Sequence, residues 1–181
     1  MKRIEISNAI FLIDEFIDPA ECEALVQRAE QRGFEPAPII TATGTRIDTE
    51  TRDNDRHVFE DSTLAESLWL RARGLMPTEM SGRKAVGLNE RFRLYRYRPG
   101  QRFKWHSDAP FHRPNGEISL LTFIVYLNAG YEGGATRFED VRVVGELGQA
   151  LVFAHGLVHE GAEVSKGIKY ALRSDVMYGP R

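Results

Sequence analysis

The hydrophobic positions of this chain follow two different periods, and the first is helical. Asp18 precedes Pro19, and Glu21 three residues after Asp18 completes a capping-box pattern, so the sequence predicts a helix that starts here and ends near Gly33. A second helical repeat predicts a helix over about Ser62 to Arg73. Apolar stripes of this kind normally pack against a core. We therefore expect both helices to be structural supports without a catalytic role.

From Asn89 onward the pattern changes to short β-like runs separated by Gly and Pro. The runs are Arg91 to Arg98, Arg102 to Asp108, Ile118 to Asn128, Ala135 to Phe138, Val141 to Val144, Ala150 to Phe153 and Gly167 to Tyr178. Seven or eight strands at this spacing predict a β-sandwich or jelly roll with a pocket between its sheets. The fold class expected from these runs is therefore mainly β (α+β), a sandwich or jelly roll buttressed by N-terminal helices.

A length of 181 residues suits one well-buried core, so we expect a single domain over 1–181, with 1–88 as support and 89–178 as the β core. Between the two helices, the polar stretch Thr41 to Arg56 shows no sustained period and predicts a loop, a candidate lid. Its side chains either orient an anionic or amide-bearing substrate or form solvated surface. The relevant ones are Arg46, Arg52, Asn54 and Arg56.

Charge and composition limit the classes of binding partner that we expect. The formal net charge is -2 and no basic tract is present, which argues against nucleic acid as a partner. Cys22 is the sole cysteine, the amino terminus is charged where a signal peptide is apolar, and no apolar stretch approaches the roughly 20 residues of a membrane span. We therefore expect a cytoplasmic protein without a membrane partner. The oligomeric state does not follow from the sequence.

Three residues are candidate metal ligands. His106 and Asp108 are two apart in a predicted strand, so their side chains project from one face. Such a pair is close to a chance pattern in a chain with 26 acidic residues. His159, after an apolar strand, is a distant third ligand of the type a jelly roll brings across its pocket. A set of two histidines and one carboxylate leaves coordination positions open for oxygen chemistry at Fe(II).

The remaining histidines compete for the third ligand position. His155 precedes His159 by four residues, His112 lies in a Pro- and Gly-containing loop, and His57 is far upstream. His155 and His159 would chelate one ion together only from a helix, which Gly156 and the surrounding β pattern disfavour. We interpret His155 and His57 as structural residues and His112 as a loop residue near the pocket mouth.

The last predicted strand carries two cations on one face, Lys169 and Arg173. A buried cation there needs an anion, which a dicarboxylate cosubstrate would supply. The two residues are some 13 Å apart along a strand, so one carboxylate cannot easily use both. Lys169 is the preferred choice, and Arg173 either binds the cosubstrate, binds substrate or pairs with Asp175. Which of the two holds the anion stays open at this point.

The ordered motifs YRPGQRFKWHSD, SLLTFIVYLN, YEGGATRF, HGLVHEG and GIKYALR resemble the catalytic domain of the prolyl 4-hydroxylase superfamily of 2-oxoglutarate dioxygenases. The resemblance covers about half of the chain, Asn89 to Tyr178. It implies a double-stranded β-helix that binds Fe(II) through His106, Asp108 and His159. The implied cosubstrates are 2-oxoglutarate and O2, and an ascorbate requirement is left open.

The resemblance also implies roles around 2-oxoglutarate. It places Lys169 against the distal carboxylate, the hydroxyl of Tyr126 beside it, and Tyr97 in the wall of the cosubstrate pocket. The implied reaction is oxidative decarboxylation of 2-oxoglutarate to succinate and CO2, coupled to hydroxylation of an unactivated C–H bond.

Two positions depart from the pattern of many peptidyl-prolyl hydroxylases. Phe103 stands where they carry Tyr, and Asp175 stands where they carry Trp. A changed polar group near the substrate alters which ligand is accepted, so the expected substrate is a small molecule, an amino acid or a peptide side chain. The alternatives are a non-catalytic jelly-roll module that binds metal or acts as a sensor, and, disfavoured by the charge balance, a nucleic-acid demethylase.

Overall fold

The computed structural model describes residues 1–41 and 43–180. Within them two α-helices form, α1 (Pro19–Arg32) and α2 (Ser62–Ala72), and a short 3-10 turn follows α2 at Arg73–Leu75. Both reciprocal bonds of the predicted capping box are present at the start of α1: Glu21 N donates to Asp18 Oδ1 and Asp18 N donates to Glu21 Oε2. Gly33 ends the helix with a positive φ of 88°. The predicted helices are confirmed.

Eighteen strands lie in the described residues. They are β1 (Lys2–Ser7), β2 (Ile10–Asp14), β3 (Glu35–Pro36), β4 (Ile39–Thr41), β5 (Gly44–Arg46), β6 (Asp55–Glu60), β7 (Glu79–Met80), β8 (Arg83–Leu88), β9 (Arg91–Tyr97), β10 (Phe103–His106), β11 (Ile118–Tyr126), β12 (Glu132–Gly133), β13 (Thr136–Phe138), β14 (Arg142–Val143), β15 (Ala150–Ala154), β16 (His159–Gly161), β17 (Val164–Lys166) and β18 (Lys169–Tyr178). All seven β runs predicted from the sequence contain a strand.

Two antiparallel sheets define the fold. The major sheet has the order β1-β2-β15-β11-β18-β9-β6-β3, with β8 added beside β18, and the minor sheet has the order β10-β16-β13-β14. Strand β11 pairs with both β15 and β18, so the longest apolar runs of the sequence lie at the centre of the major sheet. The mainly β jelly-roll prediction is confirmed.

The two faces of the major sheet have different partners. On one face, Phe92, Phe123 and Leu172 join the main hydrophobic core together with residues of α1 and α2. On the other face, a smaller apolar cluster that includes Tyr126, Phe138 and Phe153 packs between the two sheets. The helices thus buttress one side of the sheet, and the opposite side is left for the pocket.

Residues 1–88 contribute more than helices. Strands β1, β2, β3, β6 and β8 extend the major sheet, which the sequence analysis did not predict because their runs are short or flanked by charge. The predicted loop at 41–56 contains one strand of the β4–β5 hairpin and the start of β6, and its residue 42 lies outside the described residues. Neither described helix has the length and apolar character that a bilayer span requires.

Candidate metal and cosubstrate site

Strand alternation puts polar side chains on the pocket face of the major sheet. In β18, Lys169, Ala171 and Arg173 line the pocket, while Leu172 between them belongs to the core. The neighbouring strand β9 contributes Tyr95 and Tyr97 in the same way, since register pairs Lys169 with Tyr97 and Ala171 with Tyr95. One sheet face therefore presents two cations and two phenols to one cavity.

The minor sheet supplies the opposite wall and brings two distant histidines together. Strands β10 and β16 are antiparallel neighbours in which His106 is paired directly with His159, and their ring centroids are 4.3 Å apart. Asp108 follows β10, and its backbone N–H donates to the carbonyl of His155 at 3.0 Å. Ligand atoms of His106, Asp108 and His159 all lie within 4.8 Å of one another.

Both histidines expose the same ring nitrogen to the site. Nδ1 of His106 donates to Lys104 O at 2.7 Å, and Nδ1 of His159 donates to Leu157 O at 2.9 Å. A carbonyl can only accept, so each Nδ1 carries the proton and each Nε2 keeps a lone pair. This is the arrangement that fixes the tautomer of a metal-binding histidine.

Distances agree with one ion between the three side chains. His106 Nε2 is 3.9 Å from Asp108 Oδ1, and His159 Nε2 is 3.7 Å from Asp108 Oδ2. Two ligand atoms that bind one first-row metal at roughly 2.1 Å are separated by at most about 4.2 Å. Two imidazoles and one carboxylate with open positions suit Fe(II). The residues present therefore fit the metal implied by the sequence.

An ion pair to one oxygen and a hydrogen bond to the other hold the carboxylate of Asp108. Arg173 Nη1 lies 2.8 Å from Oδ1, and Thr122 Oγ1 donates to Oδ2 at 2.5 Å. Burial by itself raises the pKa of Asp108, but Arg173, His159 and the Thr122 hydroxyl hold that pKa well below its usual range. The carboxylate is thus ionised and oriented in the absence of metal.

The Thr122 hydroxyl also forms a hydrogen bond with a further histidine, His155. His155 Nδ1 lies 2.8 Å from Thr122 Oγ1, and its Nε2 lies 2.8 Å from Ser119 Oγ. Because the Thr122 hydroxyl donates to an ionised carboxylate, it accepts from His155 Nδ1–H, and His155 Nε2 accepts from Ser119. The predicted structural histidine is therefore part of a one-directional chain of hydrogen bonds that ends on Asp108.

Electrostatics keep the imidazoles neutral. Burial, followed by the neighbouring His159, lowers the pKa of His106 to about 4, and burial also lowers the pKa of His159. Neutral imidazole is the form that binds a metal. The site is consequently in its metal-binding protonation state at neutral pH.

Lys169 is a buried cation at the inner end of the pocket. Its Nζ donates to Gly134 O at 2.6 Å, and it has no carboxylate partner within 4.0 Å among residues 1–41 and 43–180. Burial lowers its pKa to about 8. A Cβ on Gly134 would lie 3.1 Å from Lys169 Cδ, so the glycine permits the close approach of the lysine. A buried lysine that lacks an anion fits the carboxylate of a cosubstrate.

Aromatic residues surround this lysine. The ring centroids of Tyr126 and Tyr97 lie 5.2 Å and 5.5 Å from Nζ, and the Tyr126 hydroxyl is 2.8 Å from Thr136 Oγ1 on the pocket wall. Tyr131, which was not predicted from the sequence, packs against Tyr95 and Tyr97 behind the pocket lining, and its buried hydroxyl has no hydrogen-bond partner within the described part of the chain. Its position after the apolar strand β11 was the only signal available.

The four predicted substrate residues separate into two groups. Phe103 lines the pocket and stacks on His106 with a centroid distance of 3.5 Å. Asn54, Arg56 and Asp175 do not line it. Asn54 is fully buried and accepts from Arg52, Arg56 pairs with Glu35 at 2.9 Å, and buried Asp175 pairs with Arg93 and Arg173.

Similarity to known proteins supports this assignment. A family model described as the 2OG-Fe(II) oxygenase superfamily matches residues 92–174, which include the three metal-ligand candidates and Lys169. Over these residues the chain resembles the 2OG-Fe(II) oxygenase superfamily. This family uses Fe(II), 2-oxoglutarate and O2, as predicted. The predicted likeness to prolyl 4-hydroxylases is confirmed as well, while an ascorbate requirement stays a prediction.

A curated relative of this chain is prolyl 4-hydroxylase 13 of Arabidopsis thaliana, which is 26% identical over 132 residues. The match covers 71% of this chain and 47% of the relative, so the chain spans about half the length of that protein.

Solved structures agree in fold. The viral collagen prolyl hydroxylase of Paramecium bursaria Chlorella virus-1, in a 2-oxoglutarate complex, superposes with a TM-score of 0.69 at 19% identity, covering 96% of this chain and 97% of that one. A Trichoplax adhaerens prolyl hydroxylase, in complex with a hypoxia inducible factor peptide fragment, gives a TM-score of 0.72 at 18% identity and covers 94% and 84% of the two chains.

Proposed function

We propose that this protein is an Fe(II)- and 2-oxoglutarate-dependent dioxygenase that hydroxylates an unactivated C–H bond of a small molecule, an amino acid or a peptide side chain, releasing succinate and CO2. The observation that carries the proposal is one pocket containing both a His-Asp-His group and a buried lysine without a protein carboxylate. These two features match the two halves of the chemistry, a metal and a dicarboxylate.

The metal-ligand candidates and Lys169 have defined tasks in this proposal. His106, Asp108 and His159 hold the metal through Nε2, a carboxylate oxygen and Nε2. Lys169 binds the distal carboxylate of 2-oxoglutarate with the Tyr126 hydroxyl nearby. Bound Fe(II) would supply O2 activation coupled to decarboxylation of the cosubstrate.

The choice between Lys169 and Arg173 for the distal carboxylate is supported by their partners. Arg173 already forms ion pairs with Asp108 at 2.8 Å and with Asp175 at 3.3 Å. Since Asp108 is a metal-ligand candidate, Arg173 lies next to the metal site. A carboxylate at the far end of 2-oxoglutarate lies well away from the metal that chelates the other end. Lys169 has neither restriction, because its ammonium contacts only a backbone carbonyl and aromatic rings.

Peptidyl proline is not the favoured substrate, although the relatives are named prolyl hydroxylases. Phe103 contributes a ring without a hydroxyl to the pocket, and Asp175 is committed to ion pairs with Arg93 and Arg173. Neither residue offers the phenol or the indole that many peptidyl-prolyl hydroxylases carry at these positions. A different substrate shape and polarity is expected.

Stepwise loading tests the proposal. Under anaerobic conditions we expect the protein to bind one Fe(II), and 2-oxoglutarate to bind the Fe(II)-loaded protein more tightly than the metal-free protein. Admission of O2 should then produce succinate, and a screen of amino acids, prolyl peptides and metabolites should identify compounds that increase its yield. Metal binding without succinate in any of these reactions would contradict the proposal and favour a non-catalytic metal-binding module.

A further inference from the structure

His155 is a buried histidine that has no task in the reaction proposed above. It follows β15 directly and is only 6% exposed, and its backbone N–H donates to Leu120 O at 3.1 Å, which holds it beside β11. Both ring nitrogens lie 2.8 Å from a hydroxyl oxygen, Nδ1 from that of Thr122 and Nε2 from that of Ser119. The orientation of the imidazole is therefore fixed at both ends.

A bulge in β11 brings these two hydroxyls to the same side. Ser119 and Thr122 are three residues apart, a spacing that puts side chains on opposite faces of a regular strand. The register against β18 advances by two positions on β11, from Ser119 to Leu121, but by only one on the partner strand, so Leu120 is an extra residue. Such a bulge redirects the side chains that follow it. Because Ser119 and Thr122 are both fully buried, water does not replace their contacts with His155.

The direction of every hydrogen bond in this network is defined. The Thr122 hydroxyl donates to the ionised Asp108 carboxylate, so it accepts from His155 Nδ1–H. The opposite tautomer of His155 would leave the 2.5 Å contact between Thr122 Oγ1 and Asp108 Oδ2 without a proton. Burial lowers the pKa of His155, so the ring is neutral and Nε2 accepts from Ser119, whose Oγ accepts from Phe111 N–H at 2.8 Å.

His155 thereby holds the chain segment that follows the first metal-ligand histidine. Its main-chain carbonyl accepts from Asp108 N–H at 3.0 Å, and its ring acts through the two hydroxyls on the Asp108 carboxylate and on the Phe111 N–H. Ala109 and Pro110 between these residues are exposed, so core packing holds neither of them in place. Hydrogen bonds that converge on His155 are what fixes the segment.

We propose that His155 is a positioning residue of this reaction, which keeps the Asp108 carboxylate in its metal-binding orientation through the hydroxyl of Thr122. This inference rests on the proposed function and adds to it a residue that does not line the pocket. A carboxylate that is already oriented loses less conformational freedom when a metal binds, and partners of this kind commonly contribute to metal affinity.

Two substitutions separate the roles of the two ring nitrogens. The amide nitrogen of asparagine reaches the place of Nδ1, so His155→Asn keeps a donor to Thr122. The amide group of glutamine reaches the place of Nε2, so His155→Gln keeps the contact with Ser119 and loses that donor. In anaerobic Fe(II) titrations we expect His155→Asn to stay within roughly threefold of the wild-type affinity and His155→Gln to bind roughly 10-fold more weakly.

Stability and spectroscopy separate positioning from a general effect on folding. Each variant loses the ring and one of its two hydrogen bonds, so denaturant titrations should show similar losses of stability. The absorption spectrum of the Co(II)-loaded protein should change in His155→Gln and match the wild type in His155→Asn. Wild-type affinity in His155→Gln, or an equal loss of affinity in both variants, would overturn the inference.

His57→Gln is the matched control. It makes the same substitution at a histidine whose Nδ1 contacts Gly33 O outside the pocket, and it should bind Fe(II) as the wild type does. A weaker Fe(II) affinity in His57→Gln would show that loss of a histidine ring acts on the metal site without the Thr122 contact, and would also count against the inference.

A measurement on the wild type keeps the test decisive if the His155 variants fold poorly. Long-range 1H–15N spectra of the metal-free protein at neutral pH distinguish the two tautomers, and we expect a proton on Nδ1 of His155 and none on Nε2. A proton on Nε2 alone would overturn the inference, because the Thr122 proton would then point to His155 and not to Asp108. Failure of the wild type to bind Fe(II) would instead refute the proposed function itself.

Discussion

Arg173 and Asp108 form a close ion pair in which Nη1 of the arginine lies 2.8 Å from Oδ1 of the carboxylate, and the two side chains are only 12% and 5% exposed. The arginine comes from the last strand of the major sheet, while the aspartate follows the first strand of the minor sheet. Their contact therefore joins the two walls of the pocket at a metal-ligand candidate. Without metal, this ion pair compensates the buried charge of Asp108.

Replacement of Arg173 should lower the stability of the metal-free protein, because the buried charge of Asp108 then has no arginine beside it. Arg173→Met leaves Asp108 without its arginine and Asp175 with Arg93 alone, and we expect the free energy of unfolding of the metal-free protein to fall by about 3 kcal/mol. Fe(II) should stabilise the variant more than the wild type, because the ion then replaces the lost positive charge beside Asp108. Anaerobic denaturant titrations with and without Fe(II) measure both effects.

Arg102→Met is the matched control for this experiment, since Arg102 forms a more exposed pair with Glu163. Its effect should stay below about 1 kcal/mol, with no dependence on metal. Equal stabilisation of Arg173→Met and the wild type by Fe(II) would contradict the assigned coupling between Arg173 and the metal site.

The Thr122 hydroxyl should contribute to metal affinity through Asp108. Thr122→Val keeps the shape of the side chain but removes the donor to Asp108 and the acceptor for His155 Nδ1–H. We expect Fe(II) affinity to fall roughly 10- to 100-fold, and stability to fall by about 1 to 3 kcal/mol because a buried donor loses its partner. Thr122→Ser keeps the hydroxyl and should restore most of the affinity in an anaerobic Fe(II) titration. Wild-type affinity in Thr122→Val would argue against the relay.

His159 should be essential for metal binding. His159→Ala removes one of three ligands, and we expect Fe(II) affinity to fall by more than roughly 100-fold and O2-dependent succinate formation to be lost. Circular dichroism should show a retained fold. His57→Ala deletes the same side chain at a position where the ring contacts Gly33 O outside the pocket, and it should bind Fe(II) as the wild type does. Stoichiometric metal binding by His159→Ala would refute the assigned ligand set.

Cosubstrate affinity should depend on pH through Lys169. Burial lowers the pKa of this lysine from 10.5 to about 8, so the ammonium is intact below that pH and is lost above it. A bound dicarboxylate favours the charged form, which means that binding above about pH 8 requires proton uptake. The affinity for 2-oxoglutarate should therefore be flat below about pH 8 and weaken by up to about tenfold per pH unit above it.

Calorimetry of 2-oxoglutarate binding to the Fe(II)-loaded protein, from about pH 7 to about pH 9, measures this dependence. Lys169→Met should bind 2-oxoglutarate roughly 100-fold more weakly, and its affinity should not weaken between about pH 8 and about pH 9. A pH profile of Lys169→Met that parallels the wild type would assign the titration to another group.

Local sequence signals predicted most of the framework. The capping box at Asp18 and Glu21 needs only four consecutive residues, and the central strand β11 is a long, mostly apolar run whose burial follows from its composition. The short strands β3, β7 and β12 each have two residues, too few to establish an alternation. Their pairing depends on which neighbours the tertiary structure supplies.

The sequence by itself determined part of the site: the inward face of β18 follows from the period of a β-strand, and His106 and Asp108 are near neighbours in the chain. The predicted strand through both of them is shorter than expected, because β10 ends at His106 and Asp108 follows it. Only the tertiary structure decided which distant residues join them. The register of β10 against β16 sets His159 opposite His106, and the packing of a polar segment against Phe103 buries Arg52. Such contacts arise from sheet register and closure, which couple positions far apart in the chain and leave no periodic trace in the sequence.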